Sequence, residues 1–132
     1  VTVITPNRQE AYGAIGESRT DRLPVQKVGK EILKRLRCEA VLMTLGEDGM
    51  ALFEKGRGMI HIPTAAHEVY DVSGAGDTVV ATFAAALAVG AERVDAAFLS
   101  NVAAGIVVEK VGIATVSPQE LSQRITELSW KR

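Results

Sequence analysis

Cysteine occurs once in the 132-residue sequence, at Cys38, so no disulfide can close within the chain. That scarcity makes a reducing, cytoplasmic setting the expectation. Histidine occurs twice, at His61 and His67, too few for a metal centre built from His and Cys ligands. Neither sign of charge is in excess. The formal net charge is -1, which offers no footing for nucleic acid or another polyanion. Long apolar runs are missing too: the longest, Thr78 to Ala91, is about 14 residues against the roughly 20 that span a bilayer, so no membrane role is expected. No signal peptide, internal repeat, low-complexity tract or linker is visible. What remains is a globular composition, 47% apolar and 23% charged, with the length of one domain or part of one. The sequence opens on Val1, and "VTVIT" already reads as a strand, so it is expected to begin inside something larger.

Along the chain, the β-branched run Val1 to Ile4 stops at "TPN". Pro6 disfavours a continuing ladder and suits the first turn of a helix. A short helix is expected from Asn7 to about Ala14, then a loop marked by Gly13, Gly16 and "ESRTD". From Pro24 to Leu36, apolar residues at Val25, Val28, Ile32, Leu33 and Leu36 follow the helical period between lysines and arginines. This predicts an amphipathic surface helix, and the basic run "KEILKRLR" reads as its solvated face. Ala40 to Leu45 is a buried strand. Met50 to Phe53 and Met59 to Ile62, flanking "EKGRG", form a hairpin, and Val69 to Val72 is a further short strand. Thr78 to Val89 is apolar nearly all round and is expected to be a buried helix ended by Gly90. A second alanine-rich helix runs from Asp95 to about Glu109. "SPQE" at 117 to 120 has an N-cap serine, a first-position proline and a glutamate three after the cap, a strong helix start leading to Trp130. Cys38, Met43, Met50, Phe53, Met59, Phe83 and Phe98 are expected in the core. This order predicts an α/β layered fold.

The stretch "DVSGAGDTVVATFAA", from Asp71, carries the chemistry. Gly74, Ala75 and Gly76 precede a helix, so their amides can converge on one point where the helix end adds partial positive charge. Asp77 is out of place beside an anion, unless it only serves the helix dipole as an acidic first-turn residue. A P-loop would need Lys and then Ser or Thr after its last glycine, but Asp77 and Thr78 follow Gly76. A dinucleotide fingerprint would need a third glycine where Val79 stands. Phosphoryl transfer to an alcohol gives the carboxylate a use: Asp77 takes the hydroxyl proton while the amides of residues 74 to 76 hold developing charge.

This stretch resembles the C-terminal signature of the ribokinase-like (PfkB) carbohydrate kinases, with Thr82 at a position often Ala or Gly. The resemblance implies a ribokinase-like α/β/α layered sandwich. Residues 1–132 would be the C-terminal, nucleotide-binding and catalytic half of a sugar kinase domain, with a mostly parallel sheet plus a hairpin. It also implies roles. Asn7 and Glu10 read on their own as an N-cap and capping-box pair; they match the family's Asn-x-x-Glu motif near phosphate and Mg²⁺, with Glu10 acting through water. Thr44, Gly46 and Gly49 of "TLGEDG" read on their own as a hairpin turn; they match the family's Thr-x-Gly-x-x-Gly segment along the nucleotide. Asn101 of "SNVAAG" matches a polar contact on the adenine side. Asp71 and Ser73 match the start of a monovalent-cation (K⁺) site, to be completed by carbonyls of "VGIATVSP". ATP, Mg²⁺ and a sugar or sugar phosphate are the implied ligands, and the domain's missing N-terminal half the implied partner. Exposure of the surface that meets that half would favour self-association into a homo-oligomer. Within the family, "TPN", "EVYDVSGAGDTV", "NVAAGIVVEKVG" and "ATVSP" look most like kinases that phosphorylate a heptose 7-phosphate at its anomeric hydroxyl. Another sugar or nucleoside kinase of the family, or a non-catalytic nucleotide-binding module, are the alternatives.

Overall fold

A computed structural model describes residues 2–16, 23–65, 75–110 and 115–128. The chain divides into two compact units, Val1–Pro63 and Thr64–Arg132.

The first unit is a four-stranded sheet in the order β1 (Val3–Ile4), β2 (Ala40–Thr44), β3 (Met50–Glu54), β4 (Met59–Ile62). Helices α1 (Arg8–Ala14) and α2 (Val25–Leu36) pack on it. The two inner strands are buried almost throughout, as their apolar runs require. Successive side chains alternate between faces. Val41, Met43, Ala51 and Phe53 join Ala11, Tyr12, Val28 and Ile32 in one core cluster. Tyr12 is buried, and its hydroxyl donates to the Leu23 carbonyl.

β1 and β2 are parallel, whereas β2 with β3 and β3 with β4 are antiparallel. The sheet is therefore mixed where a mostly parallel one was expected. The connection from β2 to β3 is only a one-turn 3-10 segment, Gly46–Asp48, and parallel neighbours need a crossover of a dozen or more residues. The expected hairpin is β3–β4, turning around "EKGRG" with Met50 opposite Ile62 and Phe53 opposite Met59.

One detail of α2 is invisible to propensity. Gly29 lies on its buried face, and a Cβ placed there would stand 2.3 Å from Cε1 of Phe53. Only a glycine lets the helix approach the sheet that closely.

The second unit is helical: α3 (Ala75–Ala88), α4 (Arg93–Val108) and α5 (Pro118–Leu128). A short link containing Gly90, at φ 92°, returns α4 against α3. The burial expected of α3 is only partial. α3 buries only Val79, Phe83 and Ala86 and leaves Val80 half exposed, whereas α4 is buried nearly all round. Small residues such as Ala96, Ala97, Ala103 and Gly105 let neighbours pack close to α4 on several sides, which hydrophobicity alone does not reveal. α5 starts as "SPQE" predicts: the Glu120 amide donates to Ser117 Oγ at 3.1 Å, and the Ser117 amide donates to Glu120 Oε1 at 3.2 Å. Lys110 to Glu120 and Arg124 to Glu109, both at 2.8 Å, tie α5 to the end of α4. Cys38, Met43, Met50, Phe53, Phe83 and Phe98 are buried as expected, and Met59 is partly buried against the core. The expected strand at Val69 to Val72 and Trp130 lie outside the described residues. Among the described residues, no helix is long and apolar enough to cross a membrane.

Candidate active site

In the first unit, the candidate residues gather at the C-terminal ends of the two parallel strands, where ligands bind in open α/β sheets. After β1 the chain continues through Pro6, whose carbonyl accepts from the Thr44 amide at 3.0 Å. A parallel bridge then sets Asn7 beside Thr44. Asn7 is the N-cap of α1. Its Oδ1 accepts from the Glu10 amide at 2.8 Å, and Glu10 Oε2 accepts from the Asn7 amide at 2.9 Å. The capping box is therefore present in full. It uses one carboxylate oxygen of Glu10 and leaves the side-chain Nδ2 of Asn7 outside the cap. Both residues are exposed.

Gly46 and Gly49 turn the chain from β2 into β3 with φ of 61° and 86°. The Gly49 amide donates to the Gly46 carbonyl at 3.1 Å, and the Leu45 amide to the Gly49 carbonyl at 2.8 Å. Positive φ is reason enough for both glycines, so the turn reading holds in the fold. Sequence reading missed what braces this loop. Arg8, the first residue of α1, pairs with Asp48 at 3.0 Å, and His61 of β4 lies 2.6 Å from the Asp48 carbonyl. Arg8 and Asp48 are 40 residues apart, and only the β1–β2 register brings them together.

In the second unit, α3 already includes Ala75, ahead of the expected Thr78. Ala75, Gly76 and Asp77 are therefore helical, with Asp77 an acidic residue near the start of the helix. Gly76 and Asp77 are exposed, and a Cβ added at Gly76 would meet nothing within 4 Å. That leaves room beside the Asp77 carboxylate for a group to approach. Gly74, Asp71 and Ser73 lie outside the described residues. Asn101 is buried on α4 at 4% exposure, beside Ser100, whose hydroxyl donates to the Ala96 carbonyl at 2.8 Å. Among the described residues, no group of three or more His, Cys, Asp or Glu gathers as a metal cage.

The family model described as pfkB family carbohydrate kinase matches residues 1–120. The chain belongs to the pfkB family of carbohydrate kinases. Among its curated relatives is the bifunctional protein HldE of Citrifermentans bemidjiense, 48% identical over 120 residues, covering 91% of this chain and 25% of the relative. The chain thus spans about a quarter of the length of that relative. A ribokinase from Thermotoga maritima superposes with a TM-score of 0.84 at 27% identity, covering 96% of this chain and 42% of that one. A ribokinase from Arabidopsis thaliana, solved with ribose and ATP, gives 0.82 at 24% identity, covering 95% and 41%. The fold is the ribokinase-like α/β fold.

Proposed function

We propose that this chain is the C-terminal, nucleotide-binding half of a sugar kinase domain that moves a phosphoryl group from ATP to a sugar hydroxyl. A heptose 7-phosphate is the substrate favoured, and the product would be a heptose 1,7-bisphosphate for ADP-heptose assembly. The observation that carries the reading is the first turn of α3, where exposed Asp77 follows Ala75 and Gly76 at a helix N-terminus. The amides of residues 74 to 76 hold the charge that develops on the migrating group. Asp77 accepts the proton of the attacking hydroxyl as the oxygen–phosphorus bond forms, and the bond to ADP breaks.

Asn7 directs its free amide donor toward phosphate, and Thr44, Gly46 and Gly49 pass the nucleotide. Glu10 keeps one carboxylate oxygen outside the capping box, which fits a water-mediated hold on Mg²⁺. When bound with the nucleotide, that ion supplies charge neutralisation on its phosphates. Asn101 would face the adenine side. Asp71 and Ser73 would begin a monovalent-cation site. The heptose preference draws support from the HldE relatives, named bifunctional proteins. A substrate panel tests it, using this chain joined to the preceding segment of such a relative. Heptose 7-phosphate should give the highest kcat/KM. A preference for ribose, fructose 6-phosphate or adenosine overturns the substrate, and no turnover of any of them overturns the kinase reading. The 132-residue chain by itself should bind ATP but phosphorylate no sugar, because most sugar contacts would lie in the absent half.

A further inference from the structure

The end of β2 opposite Thr44 carries a second feature that the kinase reading does not use. A cavity of about 570 Å³ opens there. The five-residue strand, at about 3.3 Å per residue, sets it roughly 15 Å from the Asn7–Thr44 end. Five cations and one carboxylate line it. Lys30 and Lys34 come from α2 and Arg37 from its C-terminal cap, Glu54 ends β3, and Lys55 and Arg57 lie in the turn that follows.

Cations near a helix C-terminus offset the negative end of its dipole. That accounts for Lys34 and Arg37 but not for Lys30, nor for Lys55 and Arg57, which belong to another element and line the same space. Lys30 and Lys34 also stand four apart on one helix, where like charges repel. Arg57 pairs with Glu54 at 3.6 Å. Among the described residues, Lys30, Lys34, Arg37 and Lys55 form no ion pair. Four of the five cations, from two elements, are therefore unpaired among the described residues, and the one carboxylate in the lining, Glu54, pairs with Arg57. The volume falls within the roughly 300–1,000 Å³ of small-molecule pockets. Guanidinium groups suit phosphate through paired hydrogen bonds, and lysines add point charge.

We propose that this cavity binds a small anion carrying two or more phosphate groups, at a site separate from the phosphoryl-transfer residues. The inference does not rest on the kinase reading. Calorimetry of the 132-residue chain with inorganic pyrophosphate, at low ionic strength and without divalent metal, tests it. Saturable binding is expected, weakened at least about tenfold by Lys34→Glu and abolished in Lys34→Glu/Lys55→Glu. Both lysines are exposed, so circular dichroism should show both variants folded, and Lys34→Gln/Lys55→Gln repeats the test with milder changes. Pyrophosphate held at the α3 turn would survive all these substitutions. Undiminished binding in the double variants, or none to the wild type, overturns the proposal. Citrate bound as tightly as pyrophosphate overturns the phosphate assignment. An acidic peptide bound in place of pyrophosphate overturns the small-molecule assignment.

Discussion

Replacing Gly29 with alanine sets two physical effects against each other. Glycine inside a helix costs about 1 kcal/mol relative to alanine, so propensity alone predicts a more stable protein. The packing predicts the opposite. The new Cβ would lie 2.3 Å from Cε1 and Cζ of Phe53 and 2.5 Å from Cδ1, more than an ångström inside the usual carbon–carbon contact of about 3.5–4.0 Å. Phe53 has little room to yield. It is 1% exposed and sits inside β3, in register with Val41 on one side and Met59 on the other. Overpacking a core costs about 1–3 kcal/mol, and a contact this short belongs at the upper end. After the propensity gain, the net loss is about 2 kcal/mol. Urea unfolding followed by circular dichroism should show a lower midpoint with an unchanged slope. The melting temperature should fall by roughly 5–12 °C. Phe53→Leu removes the ring edge, so the double variant should lose less than the sum of the two single changes. A Gly29→Ala protein as stable as the parent, or more so, refutes the packing of α2 on β3.

Two further substitutions separate structure from chemistry. Asn7→Ser keeps a good N-cap, so stability should change by only a few tenths of a kcal/mol, while the amide donor proposed for phosphate is lost. Calorimetry should then show ATP binding weakened with folding intact, and unchanged binding would leave Asn7 with only its capping role. Glu120 has its carboxyl held below the ordinary value by its hydrogen bond to Lys110 and then by the Ser117 amide. A lowered folded value means stabilisation that is full above the unfolded value, roughly 4.3, and is lost as pH falls through the folded one. Denaturation at pH 7 and pH 3 should show Glu120→Gln destabilising at the higher pH and converging with the parent at the lower. An equal deficit at both would contradict the assignment.

Where local pattern and tertiary environment agree, the sequence is a good guide. β2, β3 and β4 follow from short apolar runs punctuated by glycine. α2 follows from its apolar stripe, and the start of α5 from its capping box. Burial was misjudged where composition is degenerate. α3 and α4 are both apolar nearly all round, and buried Ser100 and Asn101 disguise α4 as the more polar of the two. The antiparallel pairing of β2 with β3 follows from the short turn at Gly46–Asp48, too brief for a parallel crossover. Gly29 reads as a mild helix defect until the register of β3 brings Phe53 beneath it, and the Arg8–Asp48 brace depends on pairing between distant segments. At the candidate site, "SGAGD" marks a helix start with little side-chain bulk, and its aspartate also has the ordinary use of an acidic first-turn residue.

The central claim is that Asp77 takes the proton of the attacking sugar hydroxyl. Phosphorylation of heptose 7-phosphate, measured in single turnover with the chain joined to a relative's preceding segment, compares Asp77 with the near-isosteric Asp77→Asn. Loss of a general base should lower the rate about 10²–10⁴-fold, with ATP affinity and the melting temperature little changed. A variant that transfers phosphate at near the parent rate while remaining folded would contradict the account.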